Sequence, residues 1–223
     1  MSFRPERPRQ TSSVEGGEQR NAVKFDLIIL TLKNILKYKL ILASNSPRRR
    51  ELLAGLGLDF EVRVLPGIDE SHPADLQGGD IPLYICKKKA EAYRSALQAD
   101  ELLITADTIV WLDGVVLEKP KDEADARRML HALSGKTHQV FTGVCLTTTA
   151  KQVAFSCRSD VTFCQFSDDE IDYYVSTFRP LDKAGAYGVQ EWIGYVGVER
   201  IEGSFFNVVG LPVQRLYQAL KAF

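Results

Sequence analysis

At 223 residues and a formal net charge of −1, the chain is long enough to bury a full core in one large or two small domains. Its near-neutral balance excludes a global field that would recruit nucleic acid or a membrane surface, so any anion site must be local. Four cysteines without CxxC or CxxH spacing and three scattered histidines argue against a zinc site or a disulfide framework, and read as reduced thiols in a cytoplasmic protein.

Residues 1–22 are rich in Arg, Glu, Ser, Gly and Pro, a composition expected to stay disordered. Phe25, Ile28, Ile29, Leu32, Ile35 and Leu36 follow at helical spacing and predict an amphipathic helix. The uncharged apolar run within it, residues 27–32, is too short to span a membrane. It follows Asp26 and lacks a small-residue cleavage site, so it is a poor signal peptide.

Residues 39–57, KLILASNSPRRRELLAGLG, carry the clearest local signal. Leu40, Ile41, Leu42 and Ala43 predict a buried strand. Ser44 and Asn45 turn the chain, Ser46 is placed as a helix N-cap, and Pro47 falls at the first helical position, where its missing N–H costs nothing. Leu52, Leu53 and Leu56 form the apolar stripe, and Gly57 sits where a left-handed C-terminal cap belongs. Arg48, Arg49 and Arg50 in the first turn oppose the helix dipole. Free N–H groups with guanidinium groups beside them suit a phosphate; solvated surface arginines are the alternative. At ~100° per residue, at most two of the three can face one ligand.

Residues 60–65 read as a second strand, turned by Pro66-Gly67 into Asp69-Glu70, adjacent carboxylates that suit a divalent cation or a solvated turn. A long helix starts at Asp80 with Leu83, Cys86, Ala90, Tyr93 and Leu97 on its apolar face. Lys88 should point away from that face, and Lys87 and Lys89 flank it, with spacing unable to choose between them. Residues 102–112 give the strongest strand signal, with Asp107 in the middle. A carboxylate in a buried strand must be paired, hydrogen-bonded or metal-bound, which makes Asp107 the leading catalytic candidate beside a purely structural reading.

Asp113-Gly114 marks a two-residue hairpin, after which Lys119 could reach the level of Asp107. A helix follows from Asp122, with Met129, Leu130 and Leu133 inward and Gly135 as its stop. Residues 138–148 and 153–166 are strands, and Ser167 with Glu170 forms a capping box opening a helix over Ile171, Tyr174, Val175 and Phe178. The small-residue loop Asp182-Lys183-Ala184-Gly185-Ala186-Tyr187-Gly188-Val189-Gln190 lets a ligand approach the backbone. A strand is expected over residues 195–201, and Pro212 starts a terminal helix. No P-loop, GxSxG or HExxH is present, and Gly55 and Gly57 supply only half of a dinucleotide fingerprint. Phosphate clamps and carboxylates without a nucleophile favour metal-assisted attack by water.

Taken together, Ser44-Asn45-Ser46-Pro47-Arg48-Arg49, Asp69-Glu70, Lys89-Ala90, Ala106-Asp107-Thr108, Lys119-Pro120, Leu133-Ser134-Gly135, the 182–190 loop and Gly210-Leu211-Pro212 resemble the Maf family, and more closely its dTTP/UTP pyrophosphatase subgroup. The match runs from residue 39 to the end in order and spacing, leaving 1–38 as an N-terminal extension before one domain over 39–223. The resemblance implies an α/β fold, a mixed twisted β-sheet flanked by helices with a deep nucleotide-binding cleft, Maf/ITPase-like. It implies hydrolysis of dTTP and UTP, and of modified pyrimidine nucleotides, to the monophosphate and pyrophosphate with a divalent metal, Mg²⁺ or Mn²⁺. Carried over, Asp107 is the general base, Glu70 and Asp107 hold the metal, and Lys119 joins them in the catalytic set. Ser44, Arg48, Lys89 and Lys119 grip the phosphates, which selects Lys89 over Lys87. Arg49, Thr108 and Gln190 match positions associated with pyrimidine selection. The expected partner is a small-molecule nucleoside triphosphate, with no stable nucleic acid and no membrane, and a homodimer is left open. The competing reading is a nucleotide-binding regulator of septum formation without turnover.

Overall fold

The computed structural model describes residues 37–223, so the sequence expectations for residues 1–22 and for the apolar stripe over 25–36 fall outside the described residues. In chain order the elements are β1 (Lys39–Leu42), α1 (Pro47–Ala54), β2 (Phe60–Val62), α2 (Asp80–Tyr93), β3 (Glu101–Leu112), β4 (Val115–Leu117) and α3 (Glu123–Leu133). They continue with β5 (Thr137–Thr147), β6 (Gln152–Phe163), α4 (Asp168–Phe178), α5 (Trp192–Gly197), β7 (Val198–Glu202), α6 (Phe205–Val209) and α7 (Val213–Lys221). Among the described residues the strands form one mixed seven-stranded sheet in the order β2-β1-β3-β5-β6-β7, with β4 added on β3. The pairings of β1 with β2 and β3 are parallel and the rest antiparallel.

Local chemistry sets the helix starts. Ser46 Oγ accepts the Arg49 N–H at the head of α1, Asp122 Oδ1 accepts the Asp125 N–H at 2.8 Å, and both halves of the Ser167/Glu170 capping box are made. The 113–114 turn has left-handed φ at both residues, 50° and 86°, the geometry of a type I′ hairpin.

The sheet is opened at one place. β1 pairs with residues 101–104 of β3, and β4 pairs with residues 110–112. β5 runs along the opposite edge from Leu103 to Trp111, so β1 and β4 share one edge of β3 and stop short of each other. Residues 105–109 stand in that gap, and Asp107 is at its centre. The chain leaving β1 through Ser44 and the chain leaving β4 through Lys119 diverge on either side of it.

Alternation along β3 then sorts the flanking layers. Leu102, Ile104 and Ala106 pack with Leu40, Leu42, Leu53, Leu216 and Leu220 on the face covered by α1 and α7. Leu103 packs with Ile41, Cys86, Ala90 and Tyr93 on the face covered by α2. Period two therefore sends Thr105 and Asp107 toward α2, and Ala106 and Thr108 toward α1. A third cluster, with Leu130, Leu133, Val161, Phe163, Tyr174 and Ile193, lies under α3, α4 and α5.

Two expectations are corrected. Residues 192–197, partly expected in a strand, are helical: Ile193 and Gly197 are buried at i and i+4 while Tyr195 is 83% exposed, and the strand begins only at Val198. The helix from Asp80 ends at Tyr93, although Leu97 still packs into the same cluster after a tight turn.

Candidate active site

A cleft of about 1280 Å³ opens at the gap in the sheet, and the nine residues that the family resemblance assigns to the site line it: Ser44, Arg48, Arg49, Glu70, Lys89, Asp107, Thr108, Lys119 and Gln190. Six separate stretches of the chain meet there, and β3 carries Asp107 and Thr108 through the gap to two different layers.

On the α2 side, Asp107 is 8% exposed and its Oδ1 accepts a 2.8 Å hydrogen bond from Lys89 Nζ. The same ammonium lies 3.0 Å from Glu70 Oε1. Close approach of α2 to the sheet makes this reach attainable. Gly143 pairs with Asp107 across the β3–β5 ladder, and a Cβ there would fall 2.3 Å from the Pro82 carbonyl oxygen, so only glycine lets the first turn of α2 settle on β5. Thr105 Oγ1, two residues before Asp107, adds a 2.7 Å bond to the Cys86 carbonyl of α2.

Lys87, Lys88 and Lys89 are sorted cleanly. Lys87 is exposed. Lys88 Nζ binds Asp69 Oδ2 at 2.6 Å and the Ser71 carbonyl at 3.0 Å. Asp69 is thereby committed outside the cleft, its carboxyl held well below the usual carboxylate range by Lys88 and Ser71. Of the adjacent carboxylates expected to act together, only Glu70 turns inward.

On the α1 side, Arg49 Nε donates to the Gly210 carbonyl at 2.9 Å and its terminal nitrogen donates to Thr108 Oγ1 at 3.0 Å. Thr108 Oγ1 also shares a 2.9 Å bond with Thr142 Oγ1, which donates to the Asn207 carbonyl. Burial pulls the Arg49 guanidinium down from its ordinary value, against the opposing charge of Asp107. Arg48 instead reaches across the cleft to Asp182 Oδ2 at 2.9 Å. Burial alone would raise the Asp182 carboxyl, but hydrogen bonds from Lys183 and Arg48 outweigh it and hold the group at about 2. Arg50 is absent from the lining, in keeping with the limit of two arginines per ligand.

Gln190 lines the far wall, and its Oε1 is buried without a hydrogen-bond partner. Ser44 is 7% exposed, with Oγ accepting the Ser46 N–H at 3.2 Å. The sequence had not marked Asn207, which is fully buried and whose Nδ2 binds the Val140 carbonyl and Ser159 Oγ. A lone amide inside Phe205-Phe206-Asn207-Val208-Val209 was the available signal for it.

The two carboxylates fit a hard divalent cation. Both lie within hydrogen-bond distance of one ammonium, and Mg²⁺-type sites use one or two carboxylates together with water and substrate phosphate. Among the described residues no cluster of three or more His, Cys, Asp or Glu of metal-binding geometry occurs, so further donors would have to come from the substrate or water. None of the helices in the described residues is long and apolar enough to cross a membrane.

A family model described as Maf-like protein matches residues 39–223. The dTTP/UTP pyrophosphatases of Phocaeicola vulgatus and Bacteroides thetaiotaomicron are each 64% identical over 190 residues, covering 85% of this chain and 98% of theirs. That of Parabacteroides distasonis is 59% identical over 192 residues, covering 86% and 100%. A solved nucleoside-triphosphatase / dITP/XTP pyrophosphatase from Mycobacterium abscessus is similar at 18% identity with a TM-score of 0.41, covering 82% of this chain and 97% of its own.

Proposed function

The chain belongs to the Maf family, and from that premise we propose that it hydrolyses dTTP and UTP to the monophosphate and pyrophosphate. The observation that carries the reading is Asp107, buried in the sheet gap beside Glu70, with Lys89 between them and cations on the surrounding walls. Relatives at 59–64% identity over nearly their whole length bear the matching name.

The residues divide the work by position. Asp107 Oδ1 is held by Lys89, so Oδ2 is the oxygen that accepts a proton from water. The water oxygen bonds to one phosphorus of the α–β bridge, and the bridging oxygen departs with the other. Charge that develops there meets Lys89, Lys119 and Arg48, cations already on the walls of the cleft. Ser44, at the head of α1, orients a phosphate oxygen. Glu70 and Asp107 would hold a divalent cation, Mg²⁺ or Mn²⁺, which when bound neutralises phosphate charge and acidifies water.

At the other end, a uracil or thymine ring offers a carbonyl–imide–carbonyl edge, and the Gln190 amide supplies both an acceptor and a donor. The unpartnered Oε1 suits the imide N–H. Arg49 and Thr108, already bonded to each other and to Gly210, form a rigid floor that also offers donors. A site built to hydrogen-bond its substrate rejects bases that leave its groups unpaired. Comparison of kcat/KM for UTP, dTTP, CTP, ATP and GTP, in wild type and in Gln190→Ala, tests the reading. UTP and dTTP should lead, and the substitution should narrow their lead. Equal use of all five, or an equal loss on all five, overturns the assigned base selection.

A further inference from the structure

Gln190 occupies the third position of a tight turn over residues 188–191, closed by a 2.9 Å bond from the Glu191 N–H to the Gly188 carbonyl. Both ends of that turn are tied to one phenol. Tyr174 of α4, fully buried, accepts the Gly188 N–H at 3.0 Å and donates its own hydroxyl to Glu191 Oε2. The other carboxylate oxygen of Glu191 lies 3.1 Å from Lys183 Nζ, which also binds Asp182 Oδ1 at 2.8 Å. Gly188 is required for this arrangement, because a Cβ there would lie 2.8 Å from the Glu191 carboxyl carbon. The residues just before the turn are constrained as well: Ala186 is fully buried at φ 60°, a left-handed conformation that a non-glycine residue holds only when its surroundings enforce it. Neither Tyr174 nor Glu191 lines the cleft.

Resting on the reading of Gln190 as the residue that selects the base, we infer that Tyr174 and Glu191 are positioning residues for pyrimidine discrimination. Uracil presents a donor at N3 beside an acceptor at C4, and cytosine presents the reverse. A primary amide rotated by half a turn reads the reverse pattern equally well. Gln190 can therefore separate uracil from cytosine only if it meets the ring edge in register with the donors of Arg49, and a recognition group is placed that closely only when the residues behind it are themselves fixed. Tyr174 and Glu191 fix the backbone on both sides of Gln190. The phosphate end, built on α1, α2 and β3, is joined to them only through the ion-pair chain Glu191–Lys183–Asp182–Arg48, which Tyr174→Phe leaves in place.

The test uses the full chain carrying Tyr174→Phe or Glu191→Gln, with UTP, CTP and GTP as substrates. Each variant is expected to lower the UTP-to-CTP ratio of kcat/KM by about tenfold, through a higher KM for UTP and an unchanged or lower KM for CTP. The kcat for UTP should stay within about threefold of wild type, and GTP should remain a poor substrate. The second variant guards against misfolding in the first, and thermal melting of both confirms a native fold. An unchanged UTP-to-CTP ratio in both folded variants, with Gln190→Ala abolishing the preference, overturns the positioning role and leaves the base reading intact. Equal losses on UTP, CTP and GTP overturn it in favour of a general structural role. Failure of Gln190→Ala to alter the ratio overturns the base reading, and this proposal with it.

Discussion

Acid should loosen the wall of the cleft through a single buried imidazole. His138 of β5 is fully buried, packed between Phe163 and Tyr187 at ring-centroid distances of 5.0 and 5.4 Å. Its Nε2 is 2.7 Å from the Tyr187 hydroxyl, and its Nδ1 has no partner. Burial pushes this histidine from 6.5 down to about 4, with Asp160 pulling weakly the other way. A group whose folded value lies below its unfolded one takes up its proton on unfolding. Its contribution is therefore complete above pH 6.5 and disappears as the pH falls toward 4. At 1.36 kcal/mol per unit, the shift amounts to about 3 kcal/mol, a large part of a typical domain's stability. Tyr187 lines the cleft, so this protonation falls directly behind the cleft wall. Urea denaturation at pH 7, 6, 5 and 4, for wild type and His138→Gln, separates the histidine's contribution from that of the carboxylates common to both. The wild type should lose about 3 kcal/mol more than the variant between pH 7 and pH 4. Parallel curves would refute the assignment of a neutral buried imidazole.

Asp107→Asn preserves shape but removes the proton acceptor, and turnover on UTP should fall by ~10²-fold or more while nucleotide binding, followed by calorimetry, is largely retained. Gly143→Ala places a methyl 2.3 Å from the Pro82 oxygen; it should cost about 1–3 kcal/mol in a thermal or urea melt and lower activity by displacing Lys89. Deleting residues 1–34 should leave folding and turnover intact, because the family match starts at residue 39; an insoluble or clearly less stable product would show that the apolar stripe over 25–36 packs on the domain.

Much of this arrangement was legible in the sequence because its signals are local. Ser46 and Pro47 opening α1, the Ser167/Glu170 box opening α4 and the 113–114 turn all act within a few residues. Asp107 stood out because a carboxylate within an apolar strand needs a partner. The partner itself, Lys89 eighteen residues away, was beyond periodicity: the helical angle left Lys87 and Lys89 equivalent, and only the side on which α2 meets β3 separates them. The family resemblance selects Lys89, and of the two it is Lys89 that lines the cleft. Asp182, 134 residues from Arg48, carried no local mark of its role as that arginine's partner. Residues 195 and 196 misled for a different reason. Tyr and Val favour strands intrinsically, but Ile193 and Gly197 are buried at helical spacing, and that packing decides the segment.

The most direct test follows UTP hydrolysis with Mg²⁺ by ³¹P NMR in wild type and Asp107→Asn. Resonances of UMP and pyrophosphate should grow together at equal rates, with no UDP and no inorganic phosphate, and growth should nearly cease in the variant. Accumulation of UDP and phosphate, or undiminished turnover in Asp107→Asn, would contradict α–β cleavage driven by the carboxylate in the sheet gap.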